Sequence, residues 1–209
     1  MLTNPDTANQ ATNNSRAHQP ALLATVLLLA VAVYGPNLSH PFQYDDLGKI
    51  LHNPKLLDPL GYLEAFGGKD YTEDTTRLLP NLTFSLNYAL FGWDSFGYHL
   101  TNLLFHLINI WLVALLGQAV LRRLGSENRA VPLLGAAIFA LHPLNSEAVN
   151  YCTARPNVMA AIFYMLSLLS FLRALESRAQ PLYVRARRWF LFALALLLLS
   201  VILDRIRAA

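Results

Sequence analysis

The sequence predicts an all-α, polytopic membrane protein with about five transmembrane helices and short interfacial helices. Three observations support this fold class. Of the 209 residues, 55% are hydrophobic and only 14% are charged, a balance that is unusual for soluble domains. The apolar residues are concentrated in runs long enough to cross a bilayer. The basic residues lie at the ends of these runs rather than in one stripe, so the net charge of +3 does not indicate a nucleic-acid partner.

The elements follow from these runs in chain order. Residues 1–20 are rich in Asn, Thr, Ala and Gln without an apolar period, and we expect a disordered cytoplasmic tail there. Residues 21–204 should form the transmembrane module, and residues 205–209 a second tail. The predicted spans cover residues 21–38, 96–121, 130–145, 157–172 and 189–203.

The longest polar section, residues 39–95, separates the first two predicted spans and should be an extracytoplasmic loop. Its final part, residues 78–93, is uncharged but contains Pro80 and Asn87, which make it a poor span. We therefore expect residues 78–93 to form a helix that lies at the membrane surface.

A proline predicts where the third span ends. Pro143 cannot donate a backbone hydrogen bond and disfavours helix at His142, so the backbone should break there. Asn145 or Ser146 can then cap a short helix that carries Glu147 in its first turn. The functional alternative is that His142 and Glu147 contribute to a site outside the membrane.

Two adjacent carboxylates lie just beyond the first predicted span, in the stretch His40–Asn53. Asp45 and Asp46 cannot both be desolvated and ionised cheaply, so one of them should be solvated or paired with a cation. Charge beside a span usually marks a working site, and a carboxylate placed there can accept a proton from a hydroxyl. The structural alternative is that Asp45 caps a short helix over Leu47–His52.

Four polar residues recur at helical spacing within the second predicted span: His99, Asn102, His106 and Asn109. Their spacing places them on one helical face. Such a face must meet protein or a water-filled cavity rather than lipid. Either these side chains hydrogen-bond to neighbouring helices or, for His99 at the interface end, they reach a site. We expect no metal centre, because the two histidines have no supporting acid on their helix.

The arginines predict the orientation. They cluster in the tail and in the second and fourth connections, namely Arg16, then Arg122, Arg123 and Arg129, then Arg173, Arg178, Arg185, Arg187 and Arg188. By the positive-inside rule the N-terminus is cytoplasmic, so residues 39–95 and 142–157 should emerge together on the extracytoplasmic side. The residues expected to share that face are Asp45, Asp46, His99, His142, Glu147 and Arg155.

Three collinear motifs resemble a known family. They are PFQYDDLGKILHNPKL, RLLPNLTFSLNYALFGWDSFGYHLTNLLFHLIN and ALHPLNSEAVNYCTARPNVMAAIFYMLSLLSFLRA. Together they resemble the N-terminal membrane part of the transmembrane and tetratricopeptide-repeat family of O-mannosyltransferases and its bacterial relatives. The resemblance implies a GT-C-like N-terminal module of a glycosyltransferase that uses a polyprenyl-phosphate-linked sugar.

The resemblance also implies roles for individual residues. An acid in the first extracytoplasmic loop, Asp45 or Asp46, is the expected catalytic base. Arg77 and Arg155 are candidates for contact with the donor phosphate, because guanidinium matches phosphate geometry. We expect His99, His142 and Glu147 to contribute to substrate binding. The expected partners are membrane lipid, the lipid-linked donor and a protein acceptor; no further cofactor is predicted, and the need for a divalent cation is left open.

The family continues with further spans and tetratricopeptide repeats, and the sequence contains no helical repeat of that kind. We therefore expect a truncated family member. The alternative function is that of a non-catalytic, multi-pass membrane protein that binds lipid or partner proteins. The expected location is the bacterial inner membrane, or the endoplasmic reticulum in a eukaryotic host.

Overall fold

A computed structural model describes residues 5–57 and 78–176, together with Arg187, Arg188, Leu191 and Leu194. The described part of the chain is helical and contains no strand, which confirms the predicted all-α membrane fold. The α-helices are α1 (Pro5–Tyr34), α2 (Leu78–Phe91), α3 (Ser95–Arg123), α4 (Ala130–Leu141), α5 (Asn145–Asn150) and α6 (Arg155–Glu176). Short helical turns cover Gly35–Ser39, Leu47–Leu51, Pro54–Leu57 and Cys152–Ala154.

Three helical segments in the described residues are long and apolar enough to cross a membrane. They are Pro20–Ser39, Ser95–Arg123 and Cys152–Arg173, and they coincide with the first, second and fourth predicted spans. Large apolar side chains project from each of them, among them Leu28, Trp111 and Tyr164. Such surfaces suit a lipid environment, so these segments fit an integral membrane protein.

The third predicted span, residues 130–145, is too short in the structure to cross a bilayer. Its helix, α4, has 12 residues, which is roughly 18 Å at the usual helical rise, against a hydrocarbon core of about 30 Å. The helix ends at Leu141, and His142 is extended, as the proline at position 143 predicts. The described helix thus covers residues 130–141 of the predicted span.

The first helix extends beyond the first predicted span. Helix α1 begins at Pro5, whereas that span was predicted to begin at residue 21. Proline suits the first helical position, and extending a helix that an apolar segment has nucleated costs little per residue. The fifth predicted span, residues 189–203, and the tail at 205–209 lie outside the described residues apart from Leu191 and Leu194.

Helix α3 is the centre of the described fold. Small buried residues, Ala30 in α1, Ala114 in α3 and Ala136 in α4, let three helices approach closely in one apolar cluster. On another side of α3, Leu112 and its neighbours pack against Met165 and Leu169 of α6. These contacts surround α3 with α1, α4 and α6.

Hydrogen bonds at the two ends of α3 define the helix directions. Arg155, at the start of α6, bonds to Asn102 near the start of α3, and Arg123 at the end of α3 donates to the carbonyl oxygen of Leu172. Helices α3 and α6 therefore run in the same direction, and α4, which lies between them in the sequence, runs back along α3. As a result, the segments around residues 40–53 and 142–155 both lie at the N-terminal end of α3.

Candidate functional site

The two adjacent aspartates have opposite surroundings. Asp46 is 1% exposed, and its Oδ1 accepts a hydrogen bond of 2.8 Å from the backbone N–H of Thr153. Its Oδ2 lies 3.4 Å from the backbone nitrogen of Gln43. Asp45 instead has a side chain that is 57% exposed and lies 2.6 Å from Lys49 Nζ. One carboxylate is thus buried against backbone donors and the other is solvated and paired with a cation.

Neither aspartate acts as the predicted helix cap. Asp46 precedes the turn Leu47–Leu51, and its side chain makes no capping bond there. Its carboxylate instead reaches Thr153, 107 residues further along the chain. Asp94 does cap a helix, because its side chain accepts from the N–H of Phe96 at the start of α3. The buried carboxylate therefore connects two distant segments rather than ending a helix.

Tyr151 makes the second connection between these segments. Its hydroxyl oxygen accepts a hydrogen bond of 3.1 Å from the backbone N–H of Asp45. Together with the bond from the Thr153 N–H to the Asp46 carboxylate, this contact holds the Asp45 backbone and the Asp46 side chain against the short segment Tyr151–Thr153. We refer to Asp45, Asp46 and Tyr151–Thr153 as the aspartate clamp.

The polar face of α3 supports the clamp and the helices around it. Each of its four side chains meets a backbone carbonyl oxygen of a different segment: His99 that of His40, Asn102 those of Tyr151 and Cys152, His106 that of Ala140, and Asn109 that of Val158. Since a carbonyl oxygen only accepts, the ring nitrogens that face His40 and Ala140 carry protons. These contacts agree with the structural interpretation of the polar face, in which the side chains satisfy groups that lipid cannot.

His99 also contacts the clamp, because the Sγ atom of Cys152 lies 3.5 Å from its Nδ1. Both side chains are buried, His99 at 3% exposure and Cys152 at 0%. His99 therefore packs beneath the aspartates, and in this structure its ring cannot meet a ligand from solvent.

Arg155 lies at the centre of the polar interior and is 0% exposed. Its Nε donates to Asn102 Oδ1 at 2.7 Å, its Nη1 to Thr83 Oγ1 at 2.9 Å, and its Nη2 to the carbonyl oxygen of Tyr98 at 3.0 Å. The guanidinium also lies over the ring of Phe84, 4.1 Å from its centroid. One side chain thus joins α2, α3 and α6.

Arg155 forms no ion pair with any of the described residues. The salt bridge found among them joins Lys49 and Asp45 instead. Three oxygen acceptors and an aromatic face surround the Arg155 guanidinium. Because no part of Arg155 is exposed, a phosphate could contact it only if α2 moved away.

The structure does not bring together all the predicted site residues. Asp45, Asp46, His99 and Arg155 lie in or directly beneath the clamp. His142 and Glu147 are exposed on the neighbouring turn and on α5, and neither bonds to these four residues. The nitrogen Nδ1 of His142 instead accepts from the N–H of Leu144. Arg77 lies outside the described residues.

The predicted caps of α5 are also absent. Asn145 donates backwards to the carbonyl oxygen of Phe139, and Ser146 donates to that of Pro143. Asn145 therefore satisfies a carbonyl group in the last turn of α4, and Ser146 adds a second bond to the Pro143 oxygen, which already accepts from the Ser146 N–H. In the described part of the chain, no group of three or more His, Cys, Asp or Glu side chains is placed to hold a metal ion.

Sequence reasoning missed three contributors: Tyr151, Thr83 and the backbone of Thr153. Thr153 and Arg155 occur in one motif, but a backbone N–H donor leaves no mark on the residue type. Thr83 and Tyr151 carry hydroxyls at positions without a periodic or charge signal. Only the spatial meeting of two loops identifies these residues.

Comparison with known proteins gives clear similarity to one group. The chain is 33% identical to human protein O-mannosyl-transferase TMTC1 over 166 residues, which covers 75% of this chain and 18% of that protein. It is 33% identical to Tmtc1 of Drosophila melanogaster over 164 residues and 30% identical to mouse TMTC2 over 171 residues. The chain spans 18% to 20% of the length of these relatives. No protein-family model matches the chain, and no solved structure matches it.

Proposed function

Because this chain belongs to the TMTC family of protein O-mannosyl-transferases, we propose that it takes part in transferring mannose from a polyprenyl-phosphate donor to a protein hydroxyl. The reaction takes place on the extracytoplasmic side of the membrane. The observation that supports this proposal best is the exposed Asp45 carboxylate, whose backbone is fixed by Tyr151 at the meeting point of two loops.

The geometry favours Asp45 over Asp46 as the general base. A base must reach the hydroxyl whose proton it accepts, and the Asp45 side chain is 57% exposed. The acceptor oxygen attacks the anomeric carbon, its proton passes to Asp45, and the bond from that carbon to the phosphate oxygen breaks with its electron pair on the phosphate. Asp46 is buried and already accepts from Thr153, so its role is to hold the loop.

The cation that meets the departing phosphate is proposed to be Lys49 rather than Arg155. Lys49 Nζ lies 2.6 Å from Asp45, and its side chain is 53% exposed, whereas Arg155 is enclosed on all sides. A cation beside the phosphate offsets the negative charge that develops as the sugar leaves. We assign Arg155 a positioning role, since it orients Asn102 and, through it, the backbone of Tyr151 and Cys152.

His142 and Glu147 remain candidates for acceptor binding. Both side chains are exposed, and both residues lie a few positions before Tyr151 in the sequence. His142 lies in the turn after α4 and Glu147 lies in α5, and these positions suit contact with a protein that arrives from the aqueous side. In this proposal they contribute to affinity rather than to proton transfer. The compartment is the bacterial inner membrane, or the endoplasmic reticulum in a eukaryotic host.

The test compares two matched substitutions in the 209-residue chain. Asp45→Asn and Asp46→Asn each remove a carboxylate with little change in size, and transfer of labelled mannose from polyprenyl-phosphate mannose to a threonine-containing peptide is measured in proteoliposomes. Asp45→Asn should lower the rate by about 100-fold or more, the usual contribution of a general base. Its thermal stability should stay within about 0.5 kcal/mol of that of the unmodified chain, because the lost ion pair is exposed.

Asp46→Asn should show the opposite pattern. The change removes a buried charge that accepts from Thr153 and Gln43, so stability should fall by about 1 to 3 kcal/mol, and activity should fall only in proportion to the unfolded fraction. Full transfer by the Asp45→Asn chain would exclude Asp45 as the base. An unmodified chain that is folded and inactive would exclude the transferase proposal for this chain.

A further inference from the structure

The residue directly before the aspartates has an unusual backbone. Among the described residues, Tyr44 is the non-glycine residue with positive φ, at 48°. In this left-handed region the Cβ atom crowds the backbone carbonyl, so Gly, Asn and Asp are common there and bulky residues are rare. An outlier of this kind persists only when the surrounding structure enforces it, and such outliers cluster at functional sites.

The strained backbone has a clear geometric result. The N–H of Asp46 donates to the carbonyl oxygen of Gln43 at 2.9 Å, and the N–H of Leu47 donates to that of Tyr44 at 3.2 Å. This tight turn directs Asp46 inwards, to 1% exposure, and leaves Tyr44 and Asp45 side by side on the outside. The turn therefore presents an aromatic ring next to the proposed base.

Packing within the described residues does not compensate for the strain. Tyr44 is 83% exposed, and its side chain has no hydrogen bond or ring contact with residues 5–57 or 78–176. Phe42, two residues earlier, behaves quite differently, because its ring packs edge-on against Tyr98 with the centroids 5.1 Å apart. A large aromatic side chain is thus left uncovered by the described protein at a position where a smaller residue would be less strained.

We propose that Tyr44 is an acceptor-binding residue whose ring packs against an extended peptide segment and places its Ser or Thr hydroxyl at Asp45. This inference rests on the proposed function. Exposed aromatic residues supply much of the binding energy at peptide and protein interfaces. The acceptor also arrives from the aqueous side, where Tyr44 is exposed, whereas the lipid of the donor arrives through the bilayer.

The position of Tyr44 argues against a role as a simple membrane anchor. An interfacial tyrosine that contacts lipid headgroups can occupy any helix end or loop and does not need a left-handed backbone. With the left-handed turn, Tyr44 and the Asp45 carboxylate are both exposed while Asp46 faces the interior. The conformation therefore fits a shared ligand for Tyr44 and Asp45.

The test measures peptide binding and stability in the full chain in phosphatidylcholine nanodiscs. The probe is a fluorescein-labelled peptide of alternating Ala and Thr, and its Kd is measured by fluorescence anisotropy for Tyr44→Asn, Tyr44→Phe and Leu144→Ala. The Asn variant should raise Kd by at least about fivefold, a loss that only a minority of interface residues cause when truncated. The Phe variant should bind like the unmodified chain, because it retains the ring. Leu144 is a matched control, as it is 81% exposed, and its Ala variant should also bind normally.

Thermal unfolding of the Asn variant provides the second readout. Since Asn tolerates a left-handed backbone, its Tm should equal or exceed that of the unmodified chain while its peptide affinity falls. Unchanged peptide affinity in Tyr44→Asn, equal loss in Tyr44→Phe, or a lower Tm in Tyr44→Asn would each overturn the inference. A raised KM for polyprenyl-phosphate mannose with an unchanged KM for peptide would also overturn it, because the ring would then contact the donor.

This test separates the inference from the proposed function. An unmodified chain that binds the peptide but transfers no mannose would contradict the transferase proposal and leave Tyr44 as a peptide-binding residue. An unmodified chain that transfers mannose, with Tyr44→Asn equally active and equally tight in binding, would contradict only the inference.

Discussion

Asp45 and Asp46 are adjacent aspartates, but the turn that contains them exposes one carboxylate and buries the other. Asp45 faces solvent beside Lys49, while Asp46 is buried against the N–H of Thr153. The sequence predicts a division of this kind, since two adjacent carboxylates cannot both be buried and charged. It does not predict which residue lies inside, because the left-handed backbone of Tyr44 decides that.

Tyr151→Phe tests whether the clamp positions Asp45. The change removes only the hydroxyl oxygen that accepts from the Asp45 N–H. Because this bond orients the proposed base, kcat should fall by about tenfold, equivalent to the loss of roughly 1.4 kcal/mol in the transition state, while the KM for peptide stays unchanged. Steady-state mannose transfer measures both constants.

Tyr164→Phe is the matched control for this prediction. Tyr164 lies in α6 and is 57% exposed, so loss of its hydroxyl should leave kcat unchanged. An increase in peptide KM at constant kcat in Tyr151→Phe would assign the hydroxyl to substrate binding instead.

Arg155→Lys should destabilise the chain although it keeps the charge. The guanidinium makes three hydrogen bonds to two other helices, one to α2 and two to α3, and packs on Phe84. A lysine ammonium is compact and cannot reproduce this planar arrangement. The expected loss is about 2 kcal/mol or more of unfolding free energy, because buried polar partners are left unpaired. Thermal unfolding in detergent can be followed by thiol labelling of the buried Cys152.

The control for Arg155→Lys is Arg122→Lys. Arg122 is exposed in the last turn of α3, so this change should leave the unfolding temperature unaltered. Equal stability of the two variants would contradict the proposed bracing role of Arg155.

Among the helices, α3 supplies side-chain hydrogen-bond donors to backbone carbonyl oxygens at helix ends and in turns beside the predicted membrane spans. Carbonyl oxygens are left without a helical donor where α4 ends, and an unpaired carbonyl in a bilayer costs several kcal/mol. The side chain of His106 bonds to the oxygen of Ala140. Asn102 adds a donor to the oxygens of Tyr151 and Cys152, which also accept from the N–H groups of Ala154 and Arg155. The helical spacing of the polar residues predicts this common face, but not which carbonyl groups it meets.

Asn102→Leu and Asn109→Leu should have different costs although both replace a buried asparagine of α3. Loss of Asn102 leaves the buried, charged Arg155 Nε without its acceptor and removes one of the donors to the carbonyl oxygens of Tyr151 and Cys152, so unfolding free energy should fall by about 3 kcal/mol. Asn109 makes one bond, to Val158, and its own Oδ1 has no partner among the described residues. Its replacement should therefore cost about 1 kcal/mol.

Thermal unfolding of both variants, in the same detergent, measures this difference. Equal destabilisation would show that Asn102 contributes only its own helix contacts. It would then contradict a chain of bonds from Arg155 through Asn102 to the clamp.

For the whole molecule, composition and hydrophobic runs are sufficient to predict an all-α membrane fold, and the proline at 143 predicts where α4 ends. They do not predict that α4 is too short to cross, because apolar content alone does not separate a short buried helix from a span. Nor can the sequence show that residues 45 and 151 meet. Such long-range contacts depend on how the helices pack around α3, and side-chain packing has no local sequence signal.

The orientation of the whole chain can be tested with its single native cysteine in place. Helix α3 has 29 residues, roughly 43 Å at the usual rise, so its two ends should lie on opposite sides of a hydrocarbon core of about 30 Å. His52 and Ser146 lie at the end of the molecule that holds the clamp, Glu127 lies beyond the other end, and all three are exposed. A membrane-impermeant maleimide added to intact spheroplasts should label His52→Cys and Ser146→Cys but should label Glu127→Cys only after permeabilisation.

The buried Cys152 makes this labelling pattern interpretable, because the unmodified chain should remain unlabelled under both conditions. Labelling of Glu127→Cys alone in intact spheroplasts would reverse the orientation and place the clamp in the cytoplasm, where the positive-inside rule puts the arginines. Labelling of His52→Cys and Ser146→Cys from opposite sides would contradict the shared face itself. In that case the hydrogen bond between the Asp45 N–H and the Tyr151 hydroxyl could not form in the membrane. Tyr151 could then not position Asp45, the proposed base.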